Sequence, residues 1–546
     1  MKNAVLLWLF FSVSTVGGAA AQPQPVDADP VFQAMHAELD RSKSQLKLEN
    51  MGAPYYIDYR VMDLDAFQAE ASYGAVRNSV RTQLRYVRVV VRVGSYKQDS
   101  VYGQGLGMMQ VLPLDNDIQT LRHQIWLATD QAYKAATEAF TEKQAHLKNF
   151  TVDQPVDDFA HAEPVRSLGP LVRLEVDPKP WLKRLENASA LGRSDLQVES
   201  FNAWLNFRTV NRYFINSEGS EIRDGQSLND LGFAGTTQAS DGMRLDRNWL
   251  YTTGGVNELP PEKEFLEKAA GLIATLKALR EAPLADEDYR GPVLFSADAA
   301  SSIFADMVGD NVLGLKPDLG ETGRTKGDWA TNFKTRVLPD FISVVDDPTM
   351  ASINDQALLG HYETDDEGVK AERVTVIENG KLIHYLVGRT PIRDFPTSNG
   401  HGRARYPMNY SGPSLGNLIV KSSEPVAHDK LKSKLIELCK QRDLPFGYFV
   451  ETLGPQYSPR LLYKVWVKDG HEELVRGAVF GDLDLRSLRN DLVAAGDDVN
   501  VDNRTEAIPH SIINPSILLD ELEVKRQNAS NGKLPEYPPP ALVGGR

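Results

Sequence analysis

Two hydrophobic periodicities divide the first half of the chain into helical and extended stretches. Helically spaced apolar residues predict a helix that begins at Asp29 and Pro30, and a long amphipathic helix over 115–147, capped by Asp115 to Asp117. Valine at every second position over 87–93 predicts a strand, and strand-like runs also occupy 55–62 and 203–219. The first half therefore mixes long helices with strands.

After about Ile342 the pattern becomes one of short strands and turns. The tripeptides 378–380 (Glu-Asn-Gly) and 468–470 (Lys-Asp-Gly) are hairpin signals, and a single helix is predicted over 429–443. The fold class is therefore α+β, with a mixed α/β N-terminal region that contains long helices and a β-rich C-terminal domain. The proline-rich end of the chain, 526–546, is expected to be a disordered tail.

The N-terminal residues have the pattern of an export signal. Lys2 precedes an apolar run over 4–13, and the alanines at 19–21 offer a small-residue cleavage site. The run is shorter than the roughly 20 residues that a membrane-spanning helix needs, and no other segment approaches that length. We expect a protein exported through a signal peptide at 1–21, most simply to the periplasm, without a membrane span. Because Cys439 is the single cysteine, no intramolecular disulfide forms.

The mature length exceeds what one hydrophobic core usually supports, so two or three domains are expected. The domain prediction is a signal peptide (1–21), an N-terminal α/β domain (22–160), a middle region that completes the N-terminal half (161–289), a β-rich C-terminal domain (290–525) and the tail (526–546). The chain has 60 Lys and Arg against 74 Asp and Glu, a net charge of −14, and it has no long basic run. This balance argues against nucleic-acid binding, which depends on neutralising phosphates.

The candidate chemistry is acidic. Asp306 and Asp310 lie four residues apart in a predicted helix over 298–312, hence on one helical face. A second acidic group contains His361, Asp365, Asp366 and Glu367, and it offers oxygen ligands for a hard cation. The Asp-Asp-Glu-Gly sequence there is also that of an ordinary turn. Neither group has the spacing of a known metal motif.

Segments spread in order over roughly 45–525 resemble the TldD/PmbA family, the modulator-of-gyrase-like zinc metallopeptidases. The resemblance rests on YFINSEGSE (213–221), GPVLFSADAASSIFADMVGD (291–310), FISVVDDPT (341–349), DDEGVKAERVTVIENGKLIHYLVGR (365–389), SNGHGRARYPMNYSGPSLGNLIV (398–420) and two closing segments (475–499 and 508–524). Each motif is weak by itself, whereas their shared order is specific.

The resemblance implies a zinc peptidase whose active-site helix carries His-Glu-x-x-x-His, with a cysteine near the C-terminus as the third ligand. In this chain the two histidines fall on Ala305 and Asp310, and the glutamate falls on Asp306. The cysteine would fall within 500–509, where there is none. All three zinc ligands are therefore missing. The resemblance predicts no confident catalytic residue and no cofactor, although zinc is expected for the family.

The interpretation that follows is a metal-free, non-catalytic subunit or pseudopeptidase that helps to form a peptide-binding chamber. It would pair with a TldD-like, zinc-bearing homologue or with itself, and an unfolded peptide would add to it as an extended strand. Two alternatives stay open. One is an active hydrolase with a rebuilt acidic site, in which Asp306 and Asp310 converge with His361 or the 365–367 cluster. The other is a stand-alone envelope homodimer that binds peptide without catalysis.

Overall fold

The computed structural model describes residues 29–47, 52–103, 105–149, 156–405, 410–527, 532–535 and 537. The predicted signal peptide and nearly all of the predicted tail lie outside these residues. The elements up to residue 281 are α1 (Pro30–Gln45), β1 (Tyr56–Ser72), β2 (Ala75–Arg92), β3 (Met108–Leu112), α2 (Ile118–Leu147), β4 (Arg166–Leu168), α3 (Pro178–Ala190), β5 (Val198–Asn216), β6 (Glu221–Gln238), β7 (Arg244–Thr253) and α4 (Glu262–Glu281).

Strands β1–β7 form one seven-stranded sheet in the order β3-β2-β1-β5-β6-β4, with β7 also paired to β6. Strands from 22–160 and from 161–289 thus share a sheet. The predicted boundaries at 160 and 289 stay predictions. Helices begin where the sequence offers caps: the Asp117 side chain accepts the Thr120 N–H at 2.8 Å, and the Asp29 side chain accepts the Val31 N–H at 3.1 Å.

One face of this sheet is covered by helices along its whole length. Along β1 the odd-numbered residues from Ile57 to Val61 pack in an apolar cluster with α1 and α2, and those from Phe67 to Ala71 pack in another with α3 and α4. The period of two in a strand sends the even-numbered side chains to the opposite face. That opposite face meets the C-terminal half of the chain, and it forms the floor of the cleft described below.

The remaining elements are β8 (Asp288–Phe295), α5 (Ala297–Ile303), β9 (Ile342–Asp346), β10 (Ser352–Ile353), β11 (Gln356–Ala357), β12 (Val374–Glu378), β13 (Lys381–Leu382), β14 (Gly402–Ala404), β15 (Ser411–Pro413), β16 (Asn417–Ser422), α6 (His428–Gln441), β17 (Phe446–Leu453), β18 (Pro459–Trp466), β19 (Glu472–Val475), β20 (Ala478–Phe480), α7 (Leu485–Asn490), β21 (Leu492–Ala495), β22 (Asn500–Arg504), β23 (His510–Asn514) and β24 (Ile517–Arg526).

These strands build two larger sheets with α5 between them. One has the order β13-β12-β9-β16-β23-β22 and the other the order β19-β18-β17-β8-β24-β20, with β21 paired to β24. The largest apolar cluster includes Val293 of β8, Ile303 of α5, Val344 of β9 and Val376 of β12. The α+β class is confirmed, with helices more abundant in the first half and strands dominant in the second.

The structure bears on three local predictions: the hairpin at 378–380, the start of the tail and the lack of a membrane span. The hairpin at 378–380 is confirmed, and Asn379 and Gly380 both have positive φ, as a tight two-residue turn requires. The end of the chain differs slightly from the prediction, because β24 continues through Arg526 by pairing with β20. Among the described residues, no helix is long and apolar enough to cross a membrane.

The sheet is joined to the C-terminal half by a buried charge cluster around Asp366. Arg212 of β5 pairs with Asp366 and with Asp224, and it also donates to the Thr364 carbonyl at 3.0 Å. Arg403 pairs with the other Asp366 oxygen at 3.0 Å, and Arg60 of β1 donates to the Asp366 carbonyl. Burial alone would raise the pKa of Asp366, but these guanidinium groups outweigh it and hold the pKa well below its ordinary value.

Replacing Arg212 should therefore destabilise the whole chain. Arg212→Ala leaves a buried carboxylate partly unpaired, and we expect the free energy of unfolding to fall by about 3 kcal/mol. Urea denaturation followed by circular dichroism measures this. Arg486→Ala, at an exposed arginine of α7, is the matched control and should change stability by less than about 0.5 kcal/mol. Equal effects of the two substitutions would contradict the role of the cluster.

Candidate functional site

The segment that follows α5 presents two carboxylates on one surface. Ser296 caps α5 by accepting the Ala299 N–H at 3.1 Å. Beyond Ile303 the chain continues as a π-helical turn over Phe304–Gly309 and a 3-10 turn over Asp310–Val312. Asp306 and Asp310 are exposed, whereas the residues between and beside them are buried. The expected common face of the two aspartates is present.

The predicted helix over 298–312 is present, but it is not one regular α-helix. Ala297–Ile303 is α-helical, and the backbone then widens into the π-helical turn and tightens into the 3-10 turn. Over so few residues the apolar pattern of a wider turn resembles that of an α-helix, and sequence reasoning missed the change. Single π-helical turns are frequent at functional sites. Ala305, the position of the expected first histidine, is buried in the core and is only 6% exposed.

The segment where the third zinc ligand was expected lies against this turn. Asn500 donates from its side chain to the Ser301 hydroxyl at 2.9 Å. Arg504, also on β22, brings its Nη1 to 4.0 Å from the Asp306 carboxylate while its Nε donates to Asp502 at 2.8 Å. A guanidinium therefore stands beside the aspartate at the place where the resemblance predicted a metal ligand. Sequence reasoning did not identify Arg504, since only folding brings β22 to the turn.

Burial and neighbouring charge determine the electrostatics of the pair. Both side chains reach the surface, but their carboxyl groups are partly buried. Partial burial raises the pKa of Asp306, and the Arg504 guanidinium and a hydrogen bond from Tyr457 oppose that rise. Burial also raises the pKa of Asp310, and the Asp306 carboxylate adds to the rise. His510 lies close enough to both aspartates for its charge to lower their pKa values. Burial lowers the pKa of His510 itself. The carboxylates are thus held close together at an energetic cost when both are ionised.

Tyr457 reaches Asp306 from a strained turn. Gln456 and Tyr457, between β17 and β18, both have φ near +56°, at 57° and 55°. This left-handed conformation costs an ordinary residue about 1–2 kcal/mol, and in hairpin turns it is normally adopted by Asn or Gly. Burial and the adjacent Asp306 raise the pKa of Tyr457 to about 12, so the phenol stays protonated and donates to the carboxylate. No sequence signal marks this residue, because its turn lacks the usual Asn-Gly pair.

The second acidic group is buried and serves the fold. Asp365 accepts the N–H groups of Glu367, Val369 and Gly402 at 2.8–3.0 Å, and burial with the adjacent Glu367 raises its pKa to about 7. Asp366 belongs to the arginine cluster described above. The ordinary turn suggested by the sequence is present, but it is buried, because all three carboxylates are less than 7% exposed. A hydrophilic tetrapeptide gave no sign that β1 and β5 would cover it.

His361 lies apart from that buried turn. Its Nδ1 is 2.9 Å from the Pro348 carbonyl, and the ring lines the cleft. No hydrogen bond or ion pair between described residues joins His361 or the 365–367 cluster to Asp306 or Asp310. Nor does the described part of the chain contain a group of three His, Cys, Asp or Glu side chains arranged to hold a metal ion. The convergence that a rebuilt acidic site requires is not observed there.

The donor set at the turn does not fit zinc. Zinc sites in proteins use three or four ligands, predominantly imidazole and thiolate, whereas the turn itself offers two carboxylates and the Ala305 methyl group. Cys439 lies on α6, fully buried among Leu431 and Leu435. Burial raises the pKa of its thiol to about 11, which disfavours the thiolate that binds metals.

A cleft of about 610 Å³ lies between the open face of the large sheet and the C-terminal half. Its floor is formed by β5 and β6, and its other walls are the segments 351–364, 403–404 and 506–509. Glu506 lines the cleft, and its negative charge is close enough to Asp306 to raise the pKa of that carboxyl group. The cleft and the Asp306–Asp310 surface are therefore neighbours on either side of the segment 505–509.

Comparisons with known proteins agree with this architecture. Residues 288–526 match the family model described as the PmbA/TldA metallopeptidase C-terminal domain. The chain is similar to metalloprotease MJ0996 of Methanocaldococcus jannaschii, 25% identical over 310 residues, which are 54% of this chain and 61% of that protein. It thus spans about three-fifths of the length of the curated relative it matches.

Two solved structures share the fold over nearly the whole chain. One is a candidate modulator of DNA gyrase from Thermotoga maritima, with a TM-score of 0.59, 15% identity, and coverage of 90% of this chain and 99% of the other. The second is TldE from Thermococcus kodakarensis, with a TM-score of 0.57, 12% identity, and coverage of 90% and 99%. At these identities the likeness concerns the fold.

A pair of glycine substitutions tests the structural role of Glu367. A Cβ at Gly402 would overlap the Glu367 carboxylate, whereas a Cβ at Gly412 meets nothing within 4 Å, and neither glycine has positive φ. We expect Gly402→Ala to lower the free energy of unfolding by about 1–3 kcal/mol and Gly412→Ala to leave it unchanged. Thermal and urea denaturation of both variants provide the comparison. Equal stability would show that Glu367 is free to move.

The raised pKa values of Asp306 and Asp310 predict a pH-dependent penalty. A carboxyl group whose pKa is higher in the folded state opposes folding once it ionises, so the penalty is absent below the unfolded pKa of about 3.9 and appears as pH rises through the folded pKa. Asp310→Asn should therefore keep or raise stability at pH 7, with no difference near pH 3.

Asp366→Asn is the control of opposite sign for that experiment. The pKa of Asp366 is depressed by arginines, so its contribution to stability is present at pH 7 and is lost as pH falls through the folded pKa. Urea denaturation at a series of pH values distinguishes the two behaviours. Loss of stability in Asp310→Asn at pH 7 would mean that this carboxylate supports the fold.

Proposed function

The chain is a member of the TldD/PmbA family, and we propose that it serves as a peptide-binding subunit without a zinc centre of its own. In this proposal it contributes one wall of a chamber in which an unfolded peptide is held for proteolysis. The catalytic metal would belong to a TldD-like, zinc-bearing partner. The apo subunit would position peptide and complete the enclosure.

The observation that carries the metal-free part of the proposal is the Arg504 guanidinium. Its Nη1 lies 4.0 Å from the Asp306 carboxylate, on the segment where the family resemblance predicts a cysteine ligand. The positive charge of Arg405 likewise favours the ionised form of Asp310 and lowers its pKa. A fixed guanidinium repels a divalent cation and also neutralises the carboxylate that would bind it. Arg504 therefore supplies the positive charge that a metal supplies in a zinc peptidase.

The cleft supports the peptide-binding part of the proposal. Its volume of about 610 Å³ is in the range of ligand sites, and its floor runs along extended strands. Both apolar side chains, such as Val210 and Leu359, and polar groups line it. An extended peptide could bury alternate side chains there.

The location and partner are further parts of the proposal. The pattern of residues 1–21 supports export, most simply to the periplasm. A homologous subunit with an intact zinc helix, or a second copy of this chain, would close the chamber. A compartment outside the cytoplasm separates the protein from DNA gyrase, so we propose a role with exported peptides.

An active hydrolase is the second candidate function. The observation in its favour is the closeness of Asp306 to Asp310 and to the Tyr457 phenol, since paired carboxylates with raised pKa values suit acid–base chemistry. This arrangement lacks an identified nucleophile or electrophile among the described residues, so the metal-free subunit is preferred.

Metal content and peptidase activity of the mature protein test the proposal. After incubation with zinc, manganese or calcium and removal of free metal, we expect well under one metal ion per chain by elemental analysis. An unstructured fluorogenic peptide should bind without being cleaved. A zinc-bearing partner added to the same assay should restore cleavage.

Stoichiometric metal that is lost in both Asp306→Asn and Asp310→Asn would overturn the metal-free proposal. Glu424→Gln, at an exposed glutamate away from the turn, is the control for non-specific metal binding. Cleavage by the lone chain that disappears in Asp306→Asn would favour the second candidate function. Peptide binding without cleavage or metal would support the first.

A further inference from the structure

The cleft follows strand β6 from one end to the middle of the large sheet. At the first end Ser167 of β4 pairs with Ile222 of β6, and its hydroxyl lies 3.5 Å from the Glu363 carboxylate. At the other end the Thr505 hydroxyl donates to Asp230 of β6 at 2.9 Å. Eight residues of extended strand separate Ile222 from Asp230, which corresponds to about 26 Å. A peptide of similar length can lie along this path.

The positive charges that line the cleft are already neutralised. Arg212 pairs with Asp224 and Asp366, and Arg403 pairs with Asp366 at 3.0 Å. The remaining two arginines have carboxylate partners from outside the lining: Arg223 with Asp29 at 3.0 Å, and Arg208 with Asp230 at 3.8 Å. Within the described ranges these four arginines thus form ion pairs with four aspartates.

Two acidic side chains of the lining stay uncompensated. Glu363 and Glu506 are exposed, and neither forms an ion pair with another described residue. Arg504 is near Glu506, but its guanidinium is engaged by Asp502 at 2.8 Å and lies against Asp306. The two glutamates stand at opposite ends of the path along β6. The cleft therefore has an excess of negative charge at both ends and a charge-balanced floor between them.

We propose that the cleft selects extended peptides that carry basic side chains, and that Glu363 and Glu506 each receive one of them. This inference rests on the proposed peptide-binding function and adds its substrate class. Lysine and arginine suit these ends because their long apolar stems can lie along the cleft while the charged group reaches an exposed carboxylate. Basic groups about eight residues apart in an extended peptide match the length of β6 from Ile222, which is paired with the Ser167 that contacts Glu363, to Asp230, which is bonded to the neighbour of Glu506.

The preference is assigned to the two glutamates. Asp306 and Asp310 lie on the other side of the segment 505–509, and the Arg504 and Arg405 guanidinium groups offset their charge. A basic peptide would be attracted to Glu363 and Glu506, whereas an acidic peptide would be repelled by both.

The test compares two peptides of equal length and apolar content. Each has about ten residues with charged residues at two positions eight apart, lysine in one peptide and glutamate in the other, and each carries the same fluorescent label. Fluorescence anisotropy with the mature full chain measures Kd at low and at physiological salt. We expect the lysine peptide to bind at least tenfold more tightly at low salt, with the difference shrinking as salt rises.

The double variant Glu363→Gln with Glu506→Gln tests whether the preference for the lysine peptide comes from these two side chains of the cleft. Because each exposed ion pair contributes modestly, we expect the lysine peptide to lose about three- to thirtyfold in affinity and the glutamate peptide to change little or improve. Glu424→Gln is the matched control and should behave as wild type. Both glutamates in the cleft are exposed, so the melting temperature should not change, which separates lost binding from lost folding.

The outcomes distinguish this inference from the function on which it rests. Equal binding of both peptides to wild type would overturn the charge selection and leave peptide binding intact. A lysine preference that survives in the double variant would overturn the assignment to Glu363 and Glu506. Failure of both peptides to bind would overturn the peptide-binding function together with the inference.

Discussion

The buried pairing of Asp366 with arginines joins the two halves of the molecule. Arg212 and Arg60 project from the strands of the large sheet, and Arg403 projects from the C-terminal half, so one carboxylate is held from both sides. Ionised groups are tolerated in such a position only when their partners are fixed. The pairing therefore requires the open face of the sheet to meet the C-terminal half in one register, and the cleft forms beside that contact.

The turn that follows α5 occupies the position at which the family resemblance implies a zinc site. The wide turn, the neighbouring β22 and the exposed pair Asp306 and Asp310 lie together. A guanidinium from Arg504 approaches one of the carboxylates. On the proposed function, this side chain supplies the positive charge that a divalent ion provides in a zinc peptidase, but it cannot activate water. What the turn would retain is its shape.

Charge balance separates the structural from the ligand-facing groups of the cleft. Its arginines are matched by aspartates, so they fix the walls and offer little attraction to an anion. Glu363 and Glu506, by contrast, are exposed and without ion-pair partners in the described part of the chain. A site with a neutral floor and acidic ends favours ligands with basic groups at a matching separation, which is the basis of the proposed selectivity.

The amino-acid pattern by itself determined the α+β class, the helix caps at Asp29 and Asp117, the hairpin at Asn379, and the family resemblance, because these depend on neighbouring residues or on the order of motifs along the chain. Tertiary structure alone decided which acidic groups are buried and which are exposed. It also brought Arg504 and Tyr457 to Asp306 across separations of about 150–200 residues. Burial and long-range charge pairing arise only when distant strands pack, so no local pattern encodes them.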